Sequence, residues 1–221
     1  MTIGVVVGLA MEARPARPLG GVVATGGGTA AGAEAAAEEL AAGGVTALLS
    51  FGLAGGLDPR LKPGHLLIPR TVLAAGQNFP TDPGLDRRLG GPTIELLLGE
   101  TSVVASPEAK NRLWRTTGAA AVDLESGVVA QVAARHDLPF AVLRAVCDPA
   151  GRSLPRAALA AVGPGGKLRV MRMLAALLVR PVDLAGLVAL ALDSALARRA
   201  LAERANRVGA LGPSPVHGDP G

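Results

Sequence analysis

Two carboxylates, Glu125 and Asp148, stand at opposite ends of one helix-plus-strand unit in the stretch VDLESGVVAQVAARHDLPFAVLRAVCD, residues 122–148. From Glu125 onward Val128, Val129, Val132 and Ala133 recur at i, i+3 and i+4 spacing, the apolar stripe of a helix packed on one face. Leu138 ends that helix, and the short, β-branched, apolar run over residues 140–146 predicts a buried parallel strand. Asp148 then falls just past the carboxyl end of the strand, where open α/β sheets bind small ligands. Two readings of Asp148 stay open at this level: a ligand-facing acid, or the cap of the turn that Asp-Pro commonly starts. Glu125 is open in the same way, because an acid in the first turn of a helix favours the dipole whatever else it does.

The elements that must position these acids begin with a strand over residues 3–7, which runs into Gly8-Leu9-Ala10-Met11-Glu12-Ala13-Arg14. Glycine between strand and helix lets a backbone approach an anion, and the helix N-terminus offers unpaired N–H groups for it. The Arg14 guanidinium is a bidentate fork suited to phosphate. A plain structural turn explains the same glycine. Residues 22–25 read as a second strand, after which Gly26-Gly27-Gly28-Thr29 opens an Ala/Glu helix through residue 42. No Gly-Lys-Ser/Thr follows that glycine run, which excludes a nucleotide-triphosphate loop. Residues 45–51 form the next buried strand, and Gly52, Gly55 and Gly56 follow it. A strand is expected over residues 65–69, with His65 structural because nothing of metal-ligand spacing surrounds it. Residues 76–92 read as a polar loop that carries Phe79, and residues 94–98 and 103–105 as further strands.

At this point the central stretch resembles the purine nucleoside phosphorylase and nucleosidase family, whose members carry Val-Glu-Met-Glu, a helix, a strand, then Arg-Ala-(Ile/Val)-Ser-Asp. Here those places are held by Val122, Asp123, Leu124 and Glu125, and by Arg144, Ala145, Val146, Cys147 and Asp148. Leu124 stands where the family has the methionine that packs on the sugar, and Cys147 where it has serine. The run FGLAGGLDPRLKPGHLLIP at 51–69 is similar to the family's Thr-Gly-Ser-Ala-Gly-Gly-Leu and following strand, and Gly99-Glu100-Thr101-Ser102 to the segment whose backbone meets the purine. The resemblance implies an α/β, three-layer phosphorylase/hydrolase-like fold, with a mixed, mostly parallel twisted sheet flanked by helices. It implies cleavage of the N-glycosidic bond of a purine nucleoside, in which positive charge develops on the sugar and negative charge on the departing base. Asp148 would then meet the purine together with Cys147, Ser102 and Val103, and Glu125 would hold the ribose hydroxyls beside Met11 and Leu124. With Met11 in register with the family's methionine, Arg14 and Gly8 would hold inorganic phosphate as co-substrate, so phosphorolysis without metal or organic cofactor is expected. The alternative is hydrolysis, with Glu12 activating water.

Composition bounds the remaining choices. A chain of 221 residues that is 49% hydrophobic can bury a full core as one domain. One cysteine excludes an internal disulfide, and with no basic leader ahead of an apolar segment a cytoplasmic protein is expected. Tyrosine is absent and aromatics are 2%, so stacking surfaces for single-stranded nucleic acid are excluded despite the high pI. Residues 1–151 hold 12 basic and 14 acidic side chains, whereas residues 152–221 hold 10 and 4. The basic part carries apolar runs interrupted by Arg180, Pro181 and Asp183, each short of the roughly 20 residues that span a bilayer. They read either as ordinary terminal helices with solvated arginines or as a basic, apolar surface lying on an anionic membrane. The expected organisation is a nucleoside phosphorylase-like core over 1–165, a C-terminal helical extension over 166–207, and a disordered Gly/Pro-rich tail over 208–221. The Arg-rich extension after Asp-Pro-Ala-Gly-Arg-Ser-Leu-Pro at 148–155 makes the chain similar to the hopanoid-associated phosphorylases. That similarity implies adenosylhopane, a lipid-linked nucleoside, as substrate, and a homo-oligomer whose site is completed by a neighbouring subunit. A membrane-associated nucleoside-binding module without turnover is the contrasting expectation.

Overall fold

The structure, a computed structural model, describes residues 2–155 and 183–211. Among the described residues nine strands form one mixed sheet: β1 (Ile3–Val7), β2 (Val22–Thr25), β3 (Ala47–Gly56), β4 (Leu66–Leu67), β5 (Pro69–Ala74), β6 (Gln77–Pro80), β7 (Ile94–Gly99), β8 (Ala121–Asp123) and β9 (Phe140–Asp148). Their order is β2-β1-β3-β8-β7-β5-β6, with β9 paired to β3 and β4. The β1–β2, β1–β3, β3–β9, β5–β7 and β7–β8 pairs are parallel. At Gly55 and Gly56 the long β3 changes partner and meets β8 antiparallel. The ends of β1, β8 and β9 and the middle of β3 are thereby brought to one place.

Alternation along the strands decides the layers, since successive side chains point to opposite faces. Val6, Leu48, Val142 and Val146 pack with Ala33, Ala36 and Leu40 of α2 (Ala30–Ala42) and with Val129, Val132 and Ala133 of α5 (Ser126–Arg135). Val5, Val7, Leu49, Phe51, Ala141 and Leu143 instead pack with Ala16 of α1 (Ala10–Ala16), Leu85 and Leu89 of α3 (Pro83–Leu89), and Ala197, Leu201 and Ala205 of the long α6 (Asp183–Val208). Each such Val or Leu taken fully from water contributes about 1.5–3 kcal/mol, so both faces must be covered. The result is the three-layer α/β arrangement expected from the sequence. α4 (Pro107–Thr117) lies to one side, where Leu113 and Trp114 pack against Leu57, Leu98, Ala119 and Val122.

Three expectations are corrected. Residues 76–92 are not a loop: β6 pairs antiparallel with β5, and α3 starts at a cap in which the Asp82 carboxylate accepts from the Leu85 N–H, with Pro83 in the first turn. Asp, Pro and Gly, which read as breakers, are here capping chemistry. Residues 103–105 are not a strand but coil between β7 and the helix that starts at Pro107. The strand expected over 65–69 is divided between β4, antiparallel to β9, and β5. The segment 156–182 and residues 212–221 lie outside the described residues, and with them the 165/166 boundary and most of the expected tail. Among the described residues no helix is long and apolar enough to cross a membrane.

Candidate active site

Strand alternation puts Arg144 on the α5 side of β9, between Val142 and Val146, in a run that is otherwise apolar. It is 1% exposed, and such a charge persists only if its donors are met. All three nitrogens are engaged. Nε lies 2.7 Å from Asp123 Oδ2, Nη1 lies 3.1 Å from Glu125 Oε2 and donates to the Leu53 carbonyl at 3.3 Å, and Nη2 donates to Ser50 Oγ at 2.6 Å. The Ser126 hydroxyl bonds Asp123 Oδ2 and lies 3.0 Å from Ser50 Oγ. Asp123 ends β8, and its carboxylate also accepts from the Ser126 N–H at 3.1 Å, so it closes the first turn of α5.

Glu12, in the first turn of α1, completes the cluster from the other layer. It is 3% exposed; Oε2 accepts from the Leu9 N–H at 2.8 Å and Oε1 from the Leu53 N–H at 3.1 Å. Each oxygen keeps a second lone pair. Two glycines make the approach possible. A Cβ on Gly8 would sit 2.6 Å from Glu125 Oε1 and 3.2 Å from Glu12 Oε2, and one on Gly52 would sit 2.6 Å from Arg144 Nη1 and 2.9 Å from Glu12 Oε1. Three buried acids thus share one buried guanidinium. Burial pushes the Glu125 carboxyl up to about 7, with Arg144 opposing and Asp123 and Glu12 adding to the rise. Glu12 is raised for the same first reason, against Arg144 and its backbone donors. Burial works against the Arg144 charge, yet Asp123, Glu125 and Glu12 outweigh it and hold its pKa above the ordinary value. A carboxylate poised near neutrality suits proton transfer.

Asp148 closes β9 beside Gly55 after a bulge in the β3–β9 register. Its Oδ2 accepts from Lys110 Nζ at 2.6 Å, while Oδ1 is buried with no hydrogen-bond partner among the described residues. Burial raises the Asp148 carboxyl, and Lys110 opposes it. The Cys147 thiol is pushed up to about 12 by burial, with Asp148 and then Glu12 contributing. On the paired β3 and β9, Gly52 stands opposite Arg144 and Gly55 opposite Asp148, which sets the Asp148 end of the site next to the Arg144 cluster.

The remaining residues singled out by sequence are placed unevenly. Glu12, Glu125 and Gly8 converge in the cluster and Asp148 adjoins it. Arg14 does not converge: it is exposed and makes no hydrogen bond or ion pair among the described residues. Glu12 and Arg14 are two residues apart, about 200° around a helix, so the turn that buries one turns the other outward. Met11 is 45% exposed, with Arg198 Nη1 of α6 lying 3.7 Å from its Sδ. Leu124 is half-buried next to Glu125. Ser102 and Val103 are exposed in the loop after β7, whose Ala105 carbonyl accepts from the Leu154 N–H at 2.9 Å beyond Asp148. Sequence reasoning missed Asp123, Ser50, Ser126 and Lys110 as site residues and used Arg144 only as a motif position. The lone arginine inside FAVLRAV was the available signal; Lys110 carried none. A surface hollow of about 640 Å³ bordered by Arg60, His65, Arg70 and Trp114 shares no residue with this cluster, and the chemistry, not the hollow, locates the site.

Comparison with known proteins bears on the family and the fold. An alignment 158 positions long is 28% identical to the 5'-methylthioadenosine/S-adenosylhomocysteine nucleosidase of Mycobacterium bovis, covering 49% of this chain and 61% of that protein. The chain therefore spans about three-fifths of the length of the curated relatives it matches. Among solved structures, the nucleosidase of the same name from Helicobacter pylori aligns with a TM-score of 0.65 at 18% identity, over 94% of this chain and 98% of that one. The Neisseria meningitidis counterpart, solved with methylthio-immucillin-A, aligns at 0.65 and 18%, over 93% and 99%. The family model described as "Phosphorylase superfamily" matches residues 20–94 and 97–178. With that match over most of its length, the chain belongs to the phosphorylase superfamily.

Proposed function

We propose that this protein is an enzyme that hydrolyses the N-glycosidic bond of an adenine nucleoside, with Glu12 activating water. The observation that carries the reading is the burial of Glu12 between the Leu9 and Leu53 amides, beside Glu125 and Arg144. Its carboxylate is fixed at both oxygens and made more basic by burial, so it can take a proton from water as the oxygen attacks C1′. Glu125 holds the ribose hydroxyls, and the Asp148 carboxyl, raised by burial, gives its proton to a ring nitrogen of the purine as the bond to C1′ breaks; general acid help of this kind is worth about 10²- to 10⁴-fold. Charge favours hydrolysis over phosphorolysis. Three carboxylates around a single buried guanidinium repel a phosphate dianion, and the arginine assigned to phosphate, Arg14, is turned to solvent. No cofactor enters this chemistry.

The names of the relatives support an adenosine derivative altered at the 5' position. The resemblance to the hopanoid-associated phosphorylases makes adenosylhopane our choice among them. One feature of α6 supports an apolar 5' group and contact with a lipid surface. Leu184, Val188, Leu192 and Leu196 recur every fourth residue and are all more than half exposed, and α6 reaches the site at Met11 and, through Asp193, at Arg152.

The test is adenine release from methylthioadenosine and from adenosylhopane in detergent, with and without phosphate. Phosphate-independent release, lost on Glu12→Gln with the fold intact, is expected. Release that needs phosphate, or that survives Glu12→Gln, would overturn the reading.

A further inference from the structure

Lys110 is the fourth residue of α4 and fully buried, a position that lysine almost never takes without partners. Its Nζ reaches Asp148 Oδ2 at 2.6 Å, the Pro149 carbonyl at 3.1 Å and the Arg152 carbonyl at 2.9 Å. An ammonium carries three hydrogens and no lone pair, so this head group is fully used and has nothing left to offer a ligand. Asp148 is used on one side only. Its Oδ1 is buried and has no hydrogen-bond partner among the described residues, an arrangement that is costly unless a partner arrives.

The geometry points to Lys110 as the positioning residue that pins Asp148 through Oδ2, so that Oδ1 is presented to a ring nitrogen of the departing purine. What Oδ1 meets rests on the nucleoside-cleaving reading above; the pairing of Lys110 with Asp148 does not. Lys110 also ties down the turn that follows the acid. Arg152, whose carbonyl it holds, bonds Asp193 of α6 through its guanidinium, and the Leu154 N–H bonds the loop after β7. One side chain thus links the purine acid to two neighbouring elements, and a purely mechanical clamp is the rival account.

The charged and titratable groups facing Asp148 are Lys110 from α4, Arg152 from its own turn, Asp193 from α6 and the adjacent Cys147. Lys110 is the one in hydrogen-bond contact, so removing it has a defined sign: the Asp148 carboxyl must rise further. An opposite charge at this range is worth about 1–3 pH units.

The experiment titrates the Asp148 carboxyl by 13C NMR in the wild type and Lys110→Met, and follows adenine release from methylthioadenosine against pH in both. The expected result is an ionisation moved up by about 1–3 units, with kcat lowered at least tenfold and KM changed less than threefold. Should Lys110→Met fail to fold, Lys110→Gln, which keeps a donor and drops the charge, is measured in the same way. An Asp148 ionisation that stays in place, or activity that falls only in proportion to folded protein, would reduce Lys110 to a clamp on the turn and overturn the inference. A shifted ionisation in a protein that releases no adenine would uphold the pairing and refute the proposed function.

Discussion

Replacing Glu125 with glutamine tests the electrostatics of the cluster without changing its shape. Glu125 ionises at about 7 in the folded protein against an ordinary value of 4.5. A folded-state value above the unfolded one means that the native protein binds the proton more tightly. Stability therefore falls as pH rises from the unfolded value through the folded one, and the full cost is present above about 7. Each unit of difference is worth about 1.4 kcal/mol, so keeping Glu125 ionised in this site costs the native state about 3 kcal/mol at pH 8. Glutamine carries no such cost at any pH. Relative to the wild type, Glu125→Gln should gain about 3 kcal/mol of stability between pH 4.5 and pH 8, read as about 6–12 °C in Tm for a chain of this size. The assay is urea unfolding of both proteins at half-unit pH steps. Because Glu12 repels Glu125, some of the effect moves to Glu12, and Glu12→Gln in the same background should remove the rest. A stability difference between Glu125→Gln and wild type that is flat from pH 4.5 to 8 would refute the account of three acids competing for one cation.

Two further outcomes follow from the same cluster. Arg144→Met leaves Asp123, Glu125 and Glu12 buried without a cation, and should destabilise the protein by about 3–5 kcal/mol; the loss should deepen as pH rises, because the acids must then shed protons, and calorimetry at pH 5 and pH 8 checks both points. Gly52→Ala places a carbon 2.6 Å from Arg144 Nη1 and 2.9 Å from Glu12 Oε1, so β3 and Glu12 must part; kcat for adenine release should fall at least tenfold, and unchanged kinetics would show that Glu12 needs no such close seat.

The layers were legible in the residue pattern. Val5, Val6 and Val7, and the runs over 47–51 and 140–146, are apolar at both odd and even positions, which only a sheet covered on both sides accommodates. Glu125 and Asp148 were legible as acids at element ends, because periodicity places the ends. α3 was hidden because Asp82, Pro83 and Gly84 are turn formers as well as capping residues, and the two buried leucines four apart are too few to give a period.

By itself the sequence determined β1, β2, the end of α2 and the start of β9, because these follow from local spacing and from residues a few places apart. The tertiary structure alone decided which face of α1 turns inward, and so buried Glu12 and exposed Arg14, since that rests on the amides of Leu9 and Leu53 and on the close approach of side chains over Gly8 and Gly52. It alone decided the protonation chemistry too. Asp123, Glu125 and Glu12 become rivals only when folding brings them around one arginine, and Asp148 is held by a lysine 38 positions away in the chain. Desolvation and charge coupling depend on distances across the fold, and no pattern along the chain encodes them.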